Sequence, residues 1–97
     1  MIRHTVVFAL KHAHGSLMER GFLRDAKVAL ETIPGVKKFE QLRQISPKTP
    51  YRFGFSMEFA DKAAYEAYDR HPRHVAFVQD RWNREVDSFL EIDYEPL

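Results

Sequence analysis

The sequence predicts an α+β fold, a two-layer sandwich of one four-stranded antiparallel sheet with helices on one face. Three observations predict it. Residues 2–10 and 51–59 alternate apolar and other side chains at the two-residue period of a strand. Residues 16–32 instead carry apolar side chains at three- and four-residue steps, the period of a helix with one buried face. The full order of periods is β-α-β-β-α-α-β, and a short chain with that order buries its strands most simply under a single layer of helices.

The first strand turns Ile2, His4, Val6, Phe8 and Leu10 to one side and Arg3, Thr5, Val7 and Ala9 to the other. His4 is the one ionisable group on the apolar side, where an imidazole needs a hydrogen-bond partner or a ligand. Residues 11–15 form a loop, and its His12 and His14 are expected to be solvated, since nothing nearby completes a metal-ligand set. Ser16 and Glu19 match a capping box that starts the first helix. Its buried face is expected to hold Met18, Phe22, Ala26, Ala29, Leu30 and Ile33, and Pro34-Gly35 ends it. Residues 36–45 alternate weakly among many charges, which suggests a bulged edge strand. A proline-bearing loop, 46–50, follows. In the third strand Tyr51, Phe53, Phe55, Met57 and Phe59 share a face, expected to pack on the helices.

Asp61 is placed to cap a helix over 61–70, and Pro72 stops it, because the residue before a proline is pushed out of helical geometry. Proline also suits the first position of a new helix. His74 then falls in a first turn, among unpaired N–H groups at the positive end of the helix dipole, which favours a neutral imidazole able to accept a proton. The residues alone leave two roles for this ring, a cap or packing group and a general base. Further along, Val75, Val78 and Trp82 are expected to share a face, with Phe77 beside them. The last strand, 86–94, alternates Val86, Leu90, Ile92 and Tyr94 against Asp87, Phe89, Glu91 and Asp93. The open sheet face is expected to mix Val7, Ala9 and Phe89 with Arg3, Arg52, Glu58, Asp87 and Glu91.

Composition bounds the function. The chain's 97 residues suffice for one domain, taken as residues 1–97, with a thin core that further burial would help. A net charge of +1 gives no electrostatic basis for nucleic-acid or membrane binding. There is no cysteine, so thiolate chemistry and disulfides are excluded. No apolar run approaches the length of a membrane span, and the N-terminus does not resemble a signal peptide, which points to a cytoplasmic protein.

The element order, His4 in the first strand, the Ile33-Pro34-Gly35-Val36 turn, the Tyr68-x-x-His71-Pro72-x-His74-Val75 run and the terminal Ile92-x-Tyr94 together resemble the stress-responsive A/B barrel domain (Dabb) family over essentially the whole chain. The resemblance implies a ferredoxin-like monomer and a homodimer whose two sheets pack face to face as a dimeric α/β barrel, opposite charges pairing across the interface. It is also similar to polyketide cyclases of that family. That likeness implies a cofactor-free, metal-free cyclase or lyase reaction on a small apolar carbonyl-containing ligand. His74 would serve as general base, and Tyr68 and His4 would bind and polarise carbonyls. Val6, Phe8, Phe22, Ala26 and His71 would line the substrate cavity. The position that resembles a cavity tyrosine of the cyclases is Ala26 here, so one polar contact is missing. Two other functions fit the same resemblance: a non-catalytic dimeric protein of small-ligand binding or stress response, and a cofactor-free monooxygenase.

Overall fold

The computed structural model describes residues 1–97. Four strands, β1 (Ile2–Leu10), β2 (Lys37–Arg43), β3 (Phe53–Phe59) and β4 (Val86–Tyr94), form one antiparallel sheet in the order β2-β3-β1-β4. Helices α1 (Leu17–Leu30), α2 (Lys62–Arg70) and α3 (Pro72–Phe77) carry the core side chains of the second layer. α3 runs on through a π-helical turn, Val78–Trp82, into the short α4 (Asn83–Glu85). This is the ferredoxin-like arrangement. No helix is long and apolar enough to cross a membrane.

The alternating residues of β1 and β3 make the core, as expected. Val6 and Phe8 pair in register with Phe55 and Phe53, and all four are buried with Met57 and Phe59 against Phe22, Ala26 and Leu30 of α1, Tyr68 of α2 and Phe77 of α3. Helix α1 begins as the sequence requires. Ser16 Oγ accepts from Glu19 N at 3.2 Å, and Glu19 Oε1 accepts from Gly15 N at 3.0 Å. That exchange buries Glu19, whereas Met18, expected inside, is exposed. β2 carries the expected bulge: Lys38 adopts φ 52°, and its register against β3 gains one residue between Lys37 and Glu40. Gly35, at φ 91°, makes the turn before it.

Two expectations change. β4 is turned over relative to its predicted facing. Phe89, Glu91 and Asp93 stand opposite Phe8, Val6 and His4, so they face the helices. The open face therefore carries Leu90, Ile92 and Tyr94 beside Val7, and it is more apolar than expected. Alternation alone puts the apolar set Leu90, Ile92 and Tyr94 toward the helices; the register, shifted by a bulge at Ala9/Leu10, puts it on the open face instead and turns the acidic set inward. Of the charges expected there, Arg3 and Glu58 pair with each other at 2.5 Å within the sheet, opposite one another on β1 and β3. On α3, Val75 is exposed and Phe77 is the buried anchor.

His12 also departs from its expected solvation. Its Nε2 lies 2.7 Å from Glu85 Oε1, and both side chains are largely covered. Glu85 in turn bonds Arg81, whose Nη1 reaches Asp25 Oδ2 at 2.5 Å. The network ties the loop after β1 and helix α1 to the end of the π-turn. Burial alone would raise the Glu85 carboxyl, but the hydrogen bonds from Arg81 and His12 outweigh it and hold Glu85 below its ordinary range. The Arg81 hydrogen bond likewise lowers Asp25, against a smaller burial effect. Depressed carboxylates stabilise the fold above their ordinary pKa of about 4, and that stability is lost as pH falls through the depressed folded values. Arg81→Met is therefore expected to cost about 1–3 kcal/mol at pH 7, toward the low end because Asp25 and Arg81 are partly solvated. Urea unfolding at pH 7 and pH 3 checks this, and the difference between wild type and variant should shrink at the lower pH.

Candidate active site

His71 and Pro72 build one wall of the site. Asp61 Oδ1 caps α2 through Ala64 N at 2.8 Å, and α2 ends at Arg70 because His71 is extended, with ψ 135° before Pro72. Pro72 opens α3, and His71 Nδ1 caps it by accepting from Arg73 N at 3.1 Å. His74 thus sits in the first turn of α3, as expected. Its Nδ1 lies 3.0 Å from the backbone carbonyl of Asp69, an atom that can only accept. Nδ1 therefore carries the hydrogen, and in a neutral ring Nε2 keeps its lone pair free to take a proton. The Tyr68 ring packs beside it, centroids 4.5 Å apart.

The opposite wall is the sheet. His4 Nδ1 stands 2.6 Å from Asp93 Oδ1 and 2.8 Å from the Tyr65 hydroxyl. The carboxylate accepts, so Nδ1–H donates to Asp93, and Tyr65 O–H donates to Asp93 Oδ2 at 2.8 Å. Nε2 of His4 is left for a ligand. If the ring takes a second proton beside Asp93, Nε2–H becomes a donor to a substrate oxygen. Tyr65 is held far above the ordinary phenol range, by burial first and then by its bond to Asp93 and the Glu91 charge. Tyr68 is raised too, by burial first and then by the charges of Asp69 and Glu91. Both phenols are thus protonated hydrogen-bond donors, and neither is a phenolate base.

Between these walls lies a cavity of about 280 Å³, lined by His4, Val6, Leu30, Phe55, Met57, Tyr68, Asp69, His74, Phe77, Val78, Trp82, Asn83, Phe89 and Glu91. The π-turn contributes to it: Asn83 N bonds Val78 O five residues back, and this wider turn sets Val78, Trp82 and Asn83 all along the cavity. His4, Tyr68, His74 and Val6 meet there. Phe8, Phe22 and Ala26 do not; they are sealed in the core between sheet and α1. His71 is the cap of α3 and lies outside the lining. Tyr65, Asp93, Glu91, Trp82 and Phe89 were not singled out by the sequence. Tyr65 and Tyr68 are three residues apart on α2, one helical turn, which is the signal that could have paired them. His4, Glu91 and Asp93 also bring three ligand-type atoms within 4.8 Å of one another, although the Tyr65 hydroxyl already lies within 3.2 Å of all three side chains.

The model of the Stress responsive A/B Barrel Domain matches residues 2–96. The chain belongs to the Dabb family. A Dabb family protein of ferredoxin-like fold from Mesorhizobium loti is 70% identical, with a TM-score of 0.98 over 99% of this chain and 96% of that one. A dimeric ferredoxin-like protein of unknown function from Bacteroides fragilis is 24% identical, with a TM-score of 0.73 over 98% and 95%. A hydroxynitrile lyase from Passiflora edulis is 13% identical, with a TM-score of 0.80 over 96% and 90%. The last two likenesses show the fold alone. No curated protein matches the chain.

Proposed function

We propose that this Dabb protein is a small enzyme that uses its own side chains to remove a proton from carbon beside a carbonyl group, in a cyclase or lyase reaction. One observation carries the reading. The Tyr68 phenol and the His74 imidazole share one cavity wall, with His74 Nδ1 tied to a carbonyl so that Nε2 is the free base. In the reaction the C–H proton passes to His74 Nε2, and the bonding electron pair moves onto the carbonyl oxygen. Tyr68 O–H, kept protonated by its burial, donates to that oxygen as charge develops. His4, with both ring nitrogens protonated beside Asp93, donates Nε2–H to the second carbonyl and orients it. Attack of the enolate carbon on that carbonyl forms the new C–C bond, and the resulting alkoxide takes the proton back from the His74 imidazolium. The apolar lining of Val6, Met57, Phe77 and Trp82 excludes water from the intermediate. The volume falls just below the ~300–1,000 Å³ of sites for drug-sized ligands, which fits a small ligand or one end of a larger one. A hydroxynitrile lyase has this fold, in keeping with lyase chemistry in such a cavity.

The test has two arms. Deuterium uptake at the methyl carbon of acetophenone in D2O reports proton abstraction, and a screen of poly-β-keto thioesters reports cyclisation. Enzyme-dependent exchange or cyclisation that disappears in His74→Ala supports the reading. Neither activity in wild-type protein leaves the cavity as a binding site and removes the catalytic reading.

We further propose a homodimer that covers the open sheet face. Leu90, Ile92 and Tyr94 of β4 and Leu42 of β2 stand exposed there, an apolar surface that water disfavours. The Bacteroides fragilis relative is dimeric. Ile92→Lys with Leu90→Lys is expected to convert a dimer at micromolar concentration into a folded monomer, read by sedimentation velocity and circular dichroism. A wild-type monomer in that range would contradict the assembly.

A further inference from the structure

The permanent charges of the cavity lining are of one sign. The lining holds two carboxylate residues, Asp69 and Glu91, and neither lysine nor arginine. Glu91 stands opposite Val6 on the helix-facing side of the sheet, and its Oε1 lies 3.2 Å from the Tyr65 hydroxyl oxygen. No cation lies within ion-pair distance of Glu91 or Asp69, whereas Glu58, Glu85 and Asp25 all have an arginine partner. Asp93 sits behind His4 on the same wall. A charge at the mouth of an apolar cleft acts on whatever enters, because the walls polarise less than water does. Tyr68 already responds: the Asp69 and Glu91 charges add to its burial in holding the phenol protonated.

We propose that Glu91 and Asp69 make this cavity select neutral or cationic ligands and reject anions. The inference rests on the proposed reaction and narrows its substrate class. The carbonyl compound enters as a ketone, ester or thioester, with any carboxylate or phosphate kept outside, and a free keto acid is a poor substrate.

Trp82 is the chain's single tryptophan and lines the cavity, so its fluorescence reports occupancy without a known substrate. Three probes of similar shape separate charge from fit: benzylamine, benzyl alcohol and benzoate at pH 7.5. Benzylamine and benzyl alcohol are expected to bind at least about tenfold more tightly than benzoate, the order of effect of one partly solvated like charge. Glu91→Gln keeps the shape of the side chain and should raise benzoate affinity several-fold relative to that of benzyl alcohol. Asp69→Asn should act in the same direction. Benzoate binding as tightly as benzyl alcohol overturns the proposal, as does an unchanged ranking in both variants or no response to any probe. The two readings fail separately. Loss of the exchange activity does not alter the ranking of probes, and a ranking blind to charge does not alter exchange.

Discussion

Replacing His74 by alanine is expected to slow proton abstraction from a carbonyl-activated carbon by about 10²–10⁴-fold, while the protein stays folded. The magnitude is that of a positioned general base, and the geometry says why the position matters. The His74 ring is fixed by three things: the first turn of α3 set by Pro72, the hydrogen bond from Nδ1 to Asp69 O, and the Tyr68 ring against it. Together they fix the tautomer and aim Nε2 before substrate arrives, so little reorganisation remains for the reaction step. The ring is only partly buried and lies outside the core cluster, so its loss leaves the packing of β1, β3 and α1 in place. His74→Gln keeps a polar group of similar reach but no base, and should be as slow as the alanine variant. Tyr68→Phe should cost less in rate, since it removes one donor and keeps a ring that is 2% exposed. Deuterium exchange measured by NMR on all three variants checks the order, with circular dichroism as the folding control. Full exchange activity in His74→Ala would take the residue out of the mechanism.

Much of this site was legible because the sequence states its local geometry strongly. His71-Pro72 sets both the end of α2 and the start of α3, and any chain with that pair places His74 in a first turn. His4 was legible for a similar reason, since strict alternation in β1 allows it one face only. The partners of His4 were not. Asp93 meets it from β4, 89 residues away, through a register that a bulge at Ala9/Leu10 decides. Strand pairing is a long-range property, and a one-residue shift turns Asp93, Glu91 and Phe89 to the other face of the sheet. Phe8, Phe22 and Ala26 show the opposite limit. Phe8 lies on the helix-facing side of the sheet with His4, and Phe22 and Ala26 lie on the buried face of α1, as expected, but facing the core does not separate a sealed position from a cavity wall. That distinction depends on where the π-turn sends Trp82, and no short-range pattern announces an extra residue in a helical turn.

Phe8 gives the largest expected effect on stability. Its side chain is completely buried at the centre of the aromatic core. It meets Phe55 edge-on at 4.8 Å between centroids, Phe22 edge-on at 6.0 Å, and Trp82 at 5.0 Å. Truncation to alanine removes the transfer free energy of the ring and leaves a void that the sheet and α1, each held rigid by its own backbone hydrogen bonds, cannot close. Phe8→Ala is therefore expected to destabilise the fold by about 3–5 kcal/mol, a large share of the 5–15 kcal/mol typical of a whole domain. Phe8→Leu, which refills most of the void, should cost less than half as much. Urea unfolding at one fixed protein concentration measures both, because a dimer's stability depends on concentration. The midpoint should fall with little change in slope. The effect should also reach the cavity. Trp82 packs on Phe8 with one part of its indole and lines the cavity with another, so a void at Phe8 gives the indole room to swing inward. Phe8→Ala should then weaken the binding of benzyl alcohol although Phe8 never touches the ligand, while Phe8→Leu binds nearly as wild type. A Phe8→Ala protein that loses less than about 1 kcal/mol would mean that the core relaxes around the void. In that case Trp82 would not depend on Phe8 for its place in the cavity wall.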